Sequence, residues 1–303
     1  MKVHEISKRK FDTLTPLDLP REVFNTEAMM YLCPVKNRWA EETKIAKRFY
    51  NDTGAVFGNK MYTVYSLLEH KDSIHMDSLV MPEKVLSVSH EICGFTMPYI
   101  PNYNLESIMR SNEISISKKI EYLKQIGYLL EKIKRARKYS SCSDIYLNDI
   151  HESNFIIGKE DDKVYAVDMD SVKIGTNAVM PSRYLSPFSQ LQYCGKYEQL
   201  TSSLGGCYNP DDNTEIYCYI IMIFKLIYGE NIARLSIADF YVYLDYLAKL
   251  GVSYELLDKF ACIYLNKDNE NPYELLDELV SVYPRSTHHV FDLVRKKQVV
   301  YGR

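Results

Sequence analysis

Residues 145–175 constrain the fold of this chain more than any other stretch, because they contain two strand-forming runs with acidic and amide side chains at their outer ends. The runs 155–157 and 164–167 are mostly apolar, and the charged segment 159–163 separates them. Two such runs joined by a short polar turn are typical of an antiparallel hairpin. Since a hairpin brings its outer ends together, the residues just outside the two runs are expected to meet.

Three polar side chains stand at or near those outer ends. Asn154 directly precedes the first run, Asp168 directly follows the second, and Asp149 lies five residues before Asn154. Amide and carboxylate oxygens are ligands that Mg²⁺ prefers, so Asn154 and Asp168 are candidates for holding the ion against nucleotide phosphates. Asp149 is then free to orient an attacking hydroxyl and to accept its proton. The pattern predicts phosphoryl transfer, and a surface hairpin with scattered acidic residues is the alternative.

The same residues resemble the catalytic core of the protein-kinase-like superfamily. Asp149 and Asn154 match the catalytic-loop pattern D-x-x-x-x-N, and Asp168 falls where the aspartate of D-F-G belongs. The resemblance implies an α+β, bilobal protein-kinase-like fold. Residues 1–100 would form an N-lobe with a small antiparallel β-sheet and an αC-like helix. Residues 101–303 would form a mainly helical C-lobe with the catalytic loop and the activation segment.

The resemblance also implies a nucleotide-binding side to the site. Residues 42–50 resemble the kinase strand V-A-I-K, with Lys47 as the lysine that contacts the α- and β-phosphates. An exposed strand lysine is the alternative interpretation. Residues 91–100 resemble the strand that enters the interlobe hinge, where backbone groups near Met97 and Tyr99 would meet the adenine edge. ATP and Mg²⁺ are therefore the expected cofactors.

Two parts of the kinase nucleotide site are missing from the sequence. No glycine precedes Gly54, so the glycine-rich loop over the phosphates is absent, and another turn, such as 33–38, would have to take its place. Residues 59–70 carry an apolar stripe at helical spacing, where kinases place helix αC. That helix should supply a glutamate for Lys47. Only Glu69 is available, near the end of the helix, where it fits poorly.

The catalytic loop departs from the common protein-kinase pattern. Leu147 and Asn148 replace the usual H-R, and His151 takes the lysine position of serine/threonine kinases. D-x-H-x-x-N is typical of aminoglycoside, choline and atypical kinases, whereas residues 167–175 are more similar to bacterial sequences with I-D-x-D-S. The chain therefore resembles an atypical bacterial or phage-type kinase. His151 is a candidate for contacting the γ-phosphate, and Asp170 either ligates a second metal ion or faces solvent.

The rest of the chain is expected to be mainly helical. The predicted helices are residues 105–110, an amphipathic helix 117–139, an almost wholly apolar helix 215–229 and about three more within 236–283. Residues 181–187 resemble the end of an activation segment, but Phe188 stands where kinases have a glutamate.

Composition excludes several other classes of protein. The net charge of −3 gives no global field for nucleic acid or an anionic membrane, so neither is an expected partner. The seven cysteines form no C-x-x-C pair, which favours reduced thiols. With no apolar signal core and no apolar run long enough to span a bilayer, we expect a cytoplasmic protein. No hydrolase motif is present.

These observations predict an ATP- and Mg²⁺-dependent kinase that transfers the γ-phosphoryl group to protein serine or threonine hydroxyls. In this hypothesis Lys47 holds phosphate, Asp149 orients the hydroxyl, and Asn154 and Asp168 hold the metal ion. A second hypothesis is a catalytically weak pseudokinase that acts as a binding scaffold, supported by the missing glycine loop and the doubtful helix glutamate. A third is a kinase with a small-molecule hydroxyl acceptor, supported mainly by His151.

Overall fold

The structure, a computed structural model, divides the chain into two compact units whose segments alternate along the sequence. The sheet unit comprises residues 1–103, 136–147 and 153–180, and the helical unit comprises residues 104–135, 148–152 and 181–303. The structure describes residues 2–17, 27–36, 41–74, 76–139, 145–175, 184, 211–228 and 231–282. The predicted activation-segment residues, apart from Tyr184, lie outside this part of the chain.

A six-stranded sheet forms the centre of the sheet unit, in the order β1-β5-β6-β4-β3-β2. Every neighbouring pair is antiparallel except β1 and β5, which run parallel. The small, mainly antiparallel sheet predicted from the sequence is therefore confirmed. The strands are β1 (Val3–Ile6), β2 (Thr15–Pro16), β3 (Ala28–Lys36), β4 (Glu41–Phe49), β5 (Lys84–Val88) and β6 (Glu91–Pro98).

Strand β3 runs through Pro34, a residue that has no backbone N–H to donate. Pro34 pairs with Thr43 of β4, whereas the pairing of β3 with β2 involves only Tyr31 and Leu32. Proline cannot donate to a ladder, but it is tolerated where a strand has a partner on one side. The same strand contains residues 33–36, so the predicted phosphate-covering turn cannot begin at Cys33. Residues 37–40 lie outside the described chain.

One helix packs on each face of the sheet: the short α1 (Lys8–Phe11) and the longer α2 (Ala55–Glu69). Side chains of α2, such as Met61 and Val64, pack with Phe49 and Phe95 on one face, and Phe11 belongs to the core on the other. Helix α2 begins four residues before the predicted 59–70, because Gly54 adopts a positive φ of 91° at its N-cap, a conformation that suits glycine.

Gly94 on β6 allows a close approach to the neighbouring strand β4, which carries Lys47. A Cβ atom at this position would lie 1.9 Å from the carbonyl oxygen of Lys47. We expect Gly94→Ala to lower the free energy of unfolding by about 1–3 kcal/mol, since backbone atoms must move apart. The control is Gly58→Ala in α2, where nothing lies within 4 Å; this change should stabilise by about 0.5–1 kcal/mol. Urea unfolding of both variants measures the difference, and an unaffected Gly94→Ala protein would contradict the close approach.

The predicted hairpin is present in the sheet unit. Strands β9 (Phe155–Gly158) and β10 (Val164–Ala166) pair antiparallel, with Phe155 opposite Ala166. β7 (Asn102–Asn104) extends this sheet beside β9. A separate two-stranded sheet pairs β8 (Ile145–Tyr146) with β11 (Lys173–Ile174).

The helical unit confirms the helices predicted from apolar periodicity. Five buried residues of α4 form the expected stripe: Ile120, Leu123, Ile126, Leu130 and Ile133. Helix α5 is buried on nearly every side, as predicted, with Ile216 through Phe224 all buried. The helices are α3 (Leu105–Arg110), α4 (Ile116–Tyr139), α5 (Asp212–Tyr228), α6 (Ile237–Lys249), α7 (Tyr254–Tyr264) and α8 (Leu279–Val282).

Two further findings bear on the composition-based expectations. Within the parts of the chain that the structure describes, no helix combines the length and apolar character needed to cross a membrane. The cysteines at 33, 93, 218 and 262 form no disulfide bond in the described part of the chain.

Candidate functional site

Lys47 lies on β4 and is almost completely buried, with 3% of its side chain exposed. Along this strand Ile45 and Phe49 point into the core beneath α2, and Lys47 shares their face because alternate residues point the same way. Its ammonium group lies 5.7 Å from the centre of the Phe49 ring and 5.8 Å from that of Phe95. The exposed-lysine alternative is therefore wrong.

Two aspartates neutralise the buried ammonium group of Lys47. Its Nζ atom lies 2.5 Å from Oδ1 of Asp168 and 2.6 Å from Oδ1 of Asp170. Burial alone would lower the pKa of Lys47, but the two carboxylates outweigh this effect and raise the pKa above its usual value. Lys47 is therefore charged at neutral pH.

Asp168 follows β10 and begins the 3-10 turn Met169–Ser171. Its backbone is left-handed, with φ 62° and ψ 41°, a conformation that aspartate tolerates better than most residues. Ser171 donates its hydroxyl to Oδ2 of Asp168 at 2.7 Å. Burial would raise the pKa of Asp168, but Lys47, Lys60 and this hydrogen bond lower it well below the usual range. The carboxylate is thus ionised, and a quarter of the side chain is exposed.

The hairpin brings Asn154 close to Asp168 at the level of the backbone. Asn154 ends the 3-10 turn Glu152–Asn154, directly before β9. The N–H of Val167 donates to the carbonyl oxygen of Asn154 at 2.9 Å. Because Asp168 is the next residue after Val167, Asn154 and Asp168 both lie at this end of the hairpin, as predicted.

Asp170 is fully buried, so the prediction that it faces solvent is wrong. One carboxylate oxygen accepts from Lys47, and the other lies 3.1 Å from Nζ of Lys60 on helix α2. Its role as a ligand of a second metal ion stays a prediction. Glu69 is exposed at the end of α2, whereas the acids that contact Lys47 come from residues 168–170.

Lys60 is a functional candidate that the sequence analysis missed. It is 2% exposed, and its Nζ atom contacts Oε2 of Glu27 at 2.5 Å as well as Asp170. A signal was present: Lys60 occupies a position of the apolar stripe, with Phe57 three residues before it and Val64 four residues after it. A lysine on the buried face of a helix requires a carboxylate partner.

Asp149 and His151 belong to the helical unit, where they contact each other. His151 Nε2 lies 3.2 Å from Oδ2 of Asp149, within hydrogen-bond range. The next residue, Glu152, is 6% exposed and pairs with Lys225 of helix α5. Burial would raise the pKa of Glu152, but the hydrogen bond from Lys225 lowers it. This ion pair holds residues 149–152 against helix α5 of the same unit.

The comparisons with known proteins identify the fold. No family model matches the sequence, and no curated protein matches it. A solved structure of an apo pseudokinase matches with a TM-score of 0.52 and 9% identity, and the alignment covers 93% of this chain and 98% of that one. The pseudokinase DRIK1 (drought responsive inactive kinase 1), in a co-crystal with ENMD-2076, matches with a TM-score of 0.51 and 8% identity over the same shares.

The chain has a protein-kinase-like fold. The α+β fold class implied by the resemblance is thus confirmed. At 8–9% identity this likeness concerns the fold alone. The atypical bacterial or phage-type assignment stays a prediction, as do ATP, Mg²⁺ and the acceptor.

Within this kinase-like fold, the side chains of Met97 and Tyr99 pack in the apolar core of the sheet unit. Met97 pairs with Ile45 in the ladder between β4 and β6, and its side chain is buried among apolar residues. Tyr99 follows the end of β6 and packs against the same cluster. Their predicted contact with adenine involves backbone groups, and it stays a prediction.

The oxygen donors at the outer end of the β9–β10 hairpin are of the kind that suits Mg²⁺. Asp168 supplies an ionised, partly exposed carboxylate, and Asn154 supplies an amide oxygen at the same end of the hairpin. Magnesium is usually held by one or two carboxylates together with phosphate and water oxygens, so a larger protein cage is not required. No group of three or more His, Cys, Asp or Glu residues in the described chain is arranged to hold a metal ion.

The lowered pKa of Asp168 predicts how stability depends on pH without metal. Its carboxylate contributes stability that is present above the unfolded-state pKa of about 3.9 and is lost as pH falls through the lower folded-state pKa. The stability difference between wild type and Asp168→Asn should therefore be constant near neutral pH and should shrink below about pH 4. Urea unfolding between these limits measures it. A difference that persists unchanged in acid would contradict the lowered pKa.

Proposed function

We propose that this chain is an ATP- and Mg²⁺-dependent phosphotransferase that moves the γ-phosphoryl group to a protein serine or threonine hydroxyl. The observation that carries the proposal is the contact between Lys47 and Asp168. It joins a buried strand lysine to an ionised carboxylate at the hairpin end where Asn154 lies. A cation for phosphate and oxygen ligands for a metal ion are the parts that phosphoryl transfer requires.

Each residue then has a separate task. Lys47 binds α- and β-phosphate oxygens through its ammonium group. Asn154 and Asp168 would hold Mg²⁺, which when bound neutralises charge on the phosphate oxygens. Asp149 orients the acceptor hydroxyl and takes its proton, and the hydrogen bond to His151 holds the Asp149 carboxylate in a fixed orientation. Positioning and charge neutralisation supply most of the catalysis in this class of reaction.

The main experiment incubates the purified protein with γ-labelled ATP and Mg²⁺, beside the variants Asp149→Ala and Asp168→Asn. Intact mass and ADP release are measured together. Label on protein that is lost in both variants would support a protein kinase. ADP release without label would favour a small-molecule acceptor, the alternative that His151 suggests. No label, no ADP and no thermal shift with Mg·ATP would contradict the phosphotransferase proposal.

We expect Asp149→Ala to reduce the transfer rate by about 10²–10⁴-fold, because the hydroxyl loses its proton acceptor. Nucleotide affinity should be nearly unchanged, since Asp149 has no assigned contact with ATP. Single-turnover rates and the Kd for Mg·ATP measure the two effects. A large loss of affinity at an unchanged rate would reverse the assigned role.

A pseudokinase scaffold is the second candidate, and a specific observation favours it. All four carboxylate oxygens of Asp168 and Asp170 already have partners within the chain, from Lys47, Lys60 and Ser171. A metal ion would have to share these oxygens with ammonium and hydroxyl groups. The two solved structures described above are of pseudokinases, which agrees with this alternative. Isothermal titration of Mg·ATP separates the candidates, because a scaffold of this kind would release no heat of nucleotide binding.

A further inference from the structure

Lys60 places a second cation beside Lys47 in the interior of the sheet unit. Its ammonium group contacts Oδ2 of Asp170 at 3.1 Å and the hydroxyl of Ser171 at 3.5 Å. Glu27, which is partly exposed, completes its surroundings. Burial lowers the pKa of Lys60, but Asp170 and its acidic neighbours outweigh this effect and raise the pKa. Both lysines are therefore ammonium ions at neutral pH.

Asp170 is the group that joins the two lysines. One of its oxygens lies 2.6 Å from Lys47 on strand β4, and the other lies 3.1 Å from Lys60 on helix α2. The carboxylate thus links strand β4 to helix α2 through side-chain ion pairs. No acid from α2 is available for this connection, because its single acidic residue, Glu69, is exposed at the helix end.

We propose that Lys60 is a positioning residue for Lys47 and acts through Asp170. The helix contributes a cation, the turn at 168–171 contributes the acid, and together they hold Lys47 in place. The part of this inference that concerns nucleotide rests on the proposed function. The geometric part concerns only the unliganded protein.

Charge balance gives Lys60 a second effect on the same site. Lys47, Lys60, Asp168, Asp170 and Glu27 carry two positive and three negative charges, so their sum is one negative charge, and Glu27 is the most exposed of the three acids. Without Lys60 the sum is two negative charges around the lysine that must attract phosphate. A buried unbalanced charge is screened weakly by salt and repels an anion strongly. Lys60 therefore offsets negative charge from the two carboxylates around Lys47, so that the site repels the ATP anion less.

The first test uses no nucleotide: a double-mutant cycle of Lys47→Met and Lys60→Met by urea unfolding. Either lysine alone still neutralises Asp170, whereas the loss of both leaves a buried carboxylate without a cation. The double variant should lose at least about tenfold more in the folding equilibrium constant than the product of the single losses. If the double variant is unfolded, adding Asp170→Asn should restore folding. Additive losses, or no rescue, would overturn the connection.

The second test compares the Kd for Mg·ATP of wild type, Lys60→Met, Lys60→Arg and Lys44→Met. Lys44 is the matched control, because it is a partly buried lysine of strand β4, the strand that carries Lys47. It also pairs with two carboxylates, those of Glu42 and Glu83. We expect at least about tenfold weaker binding for Lys60→Met, partial recovery for Lys60→Arg and no change for Lys44→Met.

The two tests separate failure of this inference from failure of the proposed function. Wild-type affinity in a folded Lys60→Met protein would overturn the positioning role while leaving the phosphotransferase proposal intact. A wild-type protein that binds no Mg·ATP would overturn the proposed function, and the unfolding cycle would then decide whether Lys60 holds Lys47.

Discussion

Replacing Asp168 with asparagine is expected to reduce Mg·ATP turnover by at least about 10³-fold and to leave the protein folded. The change removes the one ionised carboxylate that is partly exposed beside Lys47. The fold should survive for two reasons. Asparagine tolerates the left-handed backbone found at this position, and Asp170 still neutralises Lys47. Turnover is measured as ADP release, and folding by the unfolding midpoint.

The matched control is Asp162→Asn in the turn between β9 and β10. Asp162 has a φ of 58°, close to that of Asp168, and its side chain is exposed. The same chemical change in the same backbone conformation should leave turnover intact. Wild-type turnover in folded Asp168→Asn protein would refute the metal assignment. An equal loss in both variants would show that the hairpin, not the carboxylate, matters.

Replacing Asp170 with asparagine should cost about 3–5 kcal/mol of folding free energy, because it breaks a buried ion pair from one side only. Two ammonium groups would then share an interior site in which Asp168 is the remaining aspartate. Urea unfolding near neutral pH measures the loss. Such a change approaches the whole stability of many domains, so partial unfolding is an expected result.

Removing one of the two cations as well should restore part of this loss. In Asp170→Asn/Lys60→Met the excess ammonium group is gone, and a methionine fills the space beside Val64 with an apolar side chain. The double variant should therefore be more stable than Asp170→Asn alone. If Lys60→Met adds further destabilisation in this background, the pairing of Lys60 with Asp170 is not the dominant interaction.

Apolar periodicity predicted the bounds of α4 and α5 to within three residues. Helix α3 has the predicted bounds, and α4 begins one residue earlier than predicted, at Ile116. The start of α2 was less predictable, because Ala55, Val56 and Gly58 are exposed and Phe57 alone of these four residues packs against the core. The continuation of β3 through Pro34 could not be predicted from the sequence for a different reason. Whether a strand has a partner on one side or two is a property of the sheet and not of its local sequence.

The candidate site likewise has parts that the sequence predicted and parts that it did not. Short-range logic predicted that the hairpin ends would bring Asn154 and Asp168 together, since chain connectivity determines that proximity. The contact between Lys47 and Asp168 spans 121 positions and was not predicted: the resemblance to kinases assigned both residues to one site, but it suggested a helix glutamate as the partner of Lys47. The pairing of Asp170 with Lys60 followed from neither. It depends on which face of α2 meets the 168–171 turn, and that is decided by tertiary packing.

The sequence separation of these ion pairs has a consequence for how the protein is made. Lys47 and Lys60 emerge from the ribosome more than a hundred residues before the aspartates that neutralise them, with separations of 121 and 110 positions. Contacts between residues so far apart in the sequence form late, after a large loop has been closed. Until Asp168 and Asp170 are synthesised, the strand and the helix carry two ammonium groups that resist burial. A fragment that ends after the first sheet, near residue 100, is therefore expected to be a poor independent folding unit. The core of the sheet unit is therefore complete only after the turn at 168–171 has been synthesised.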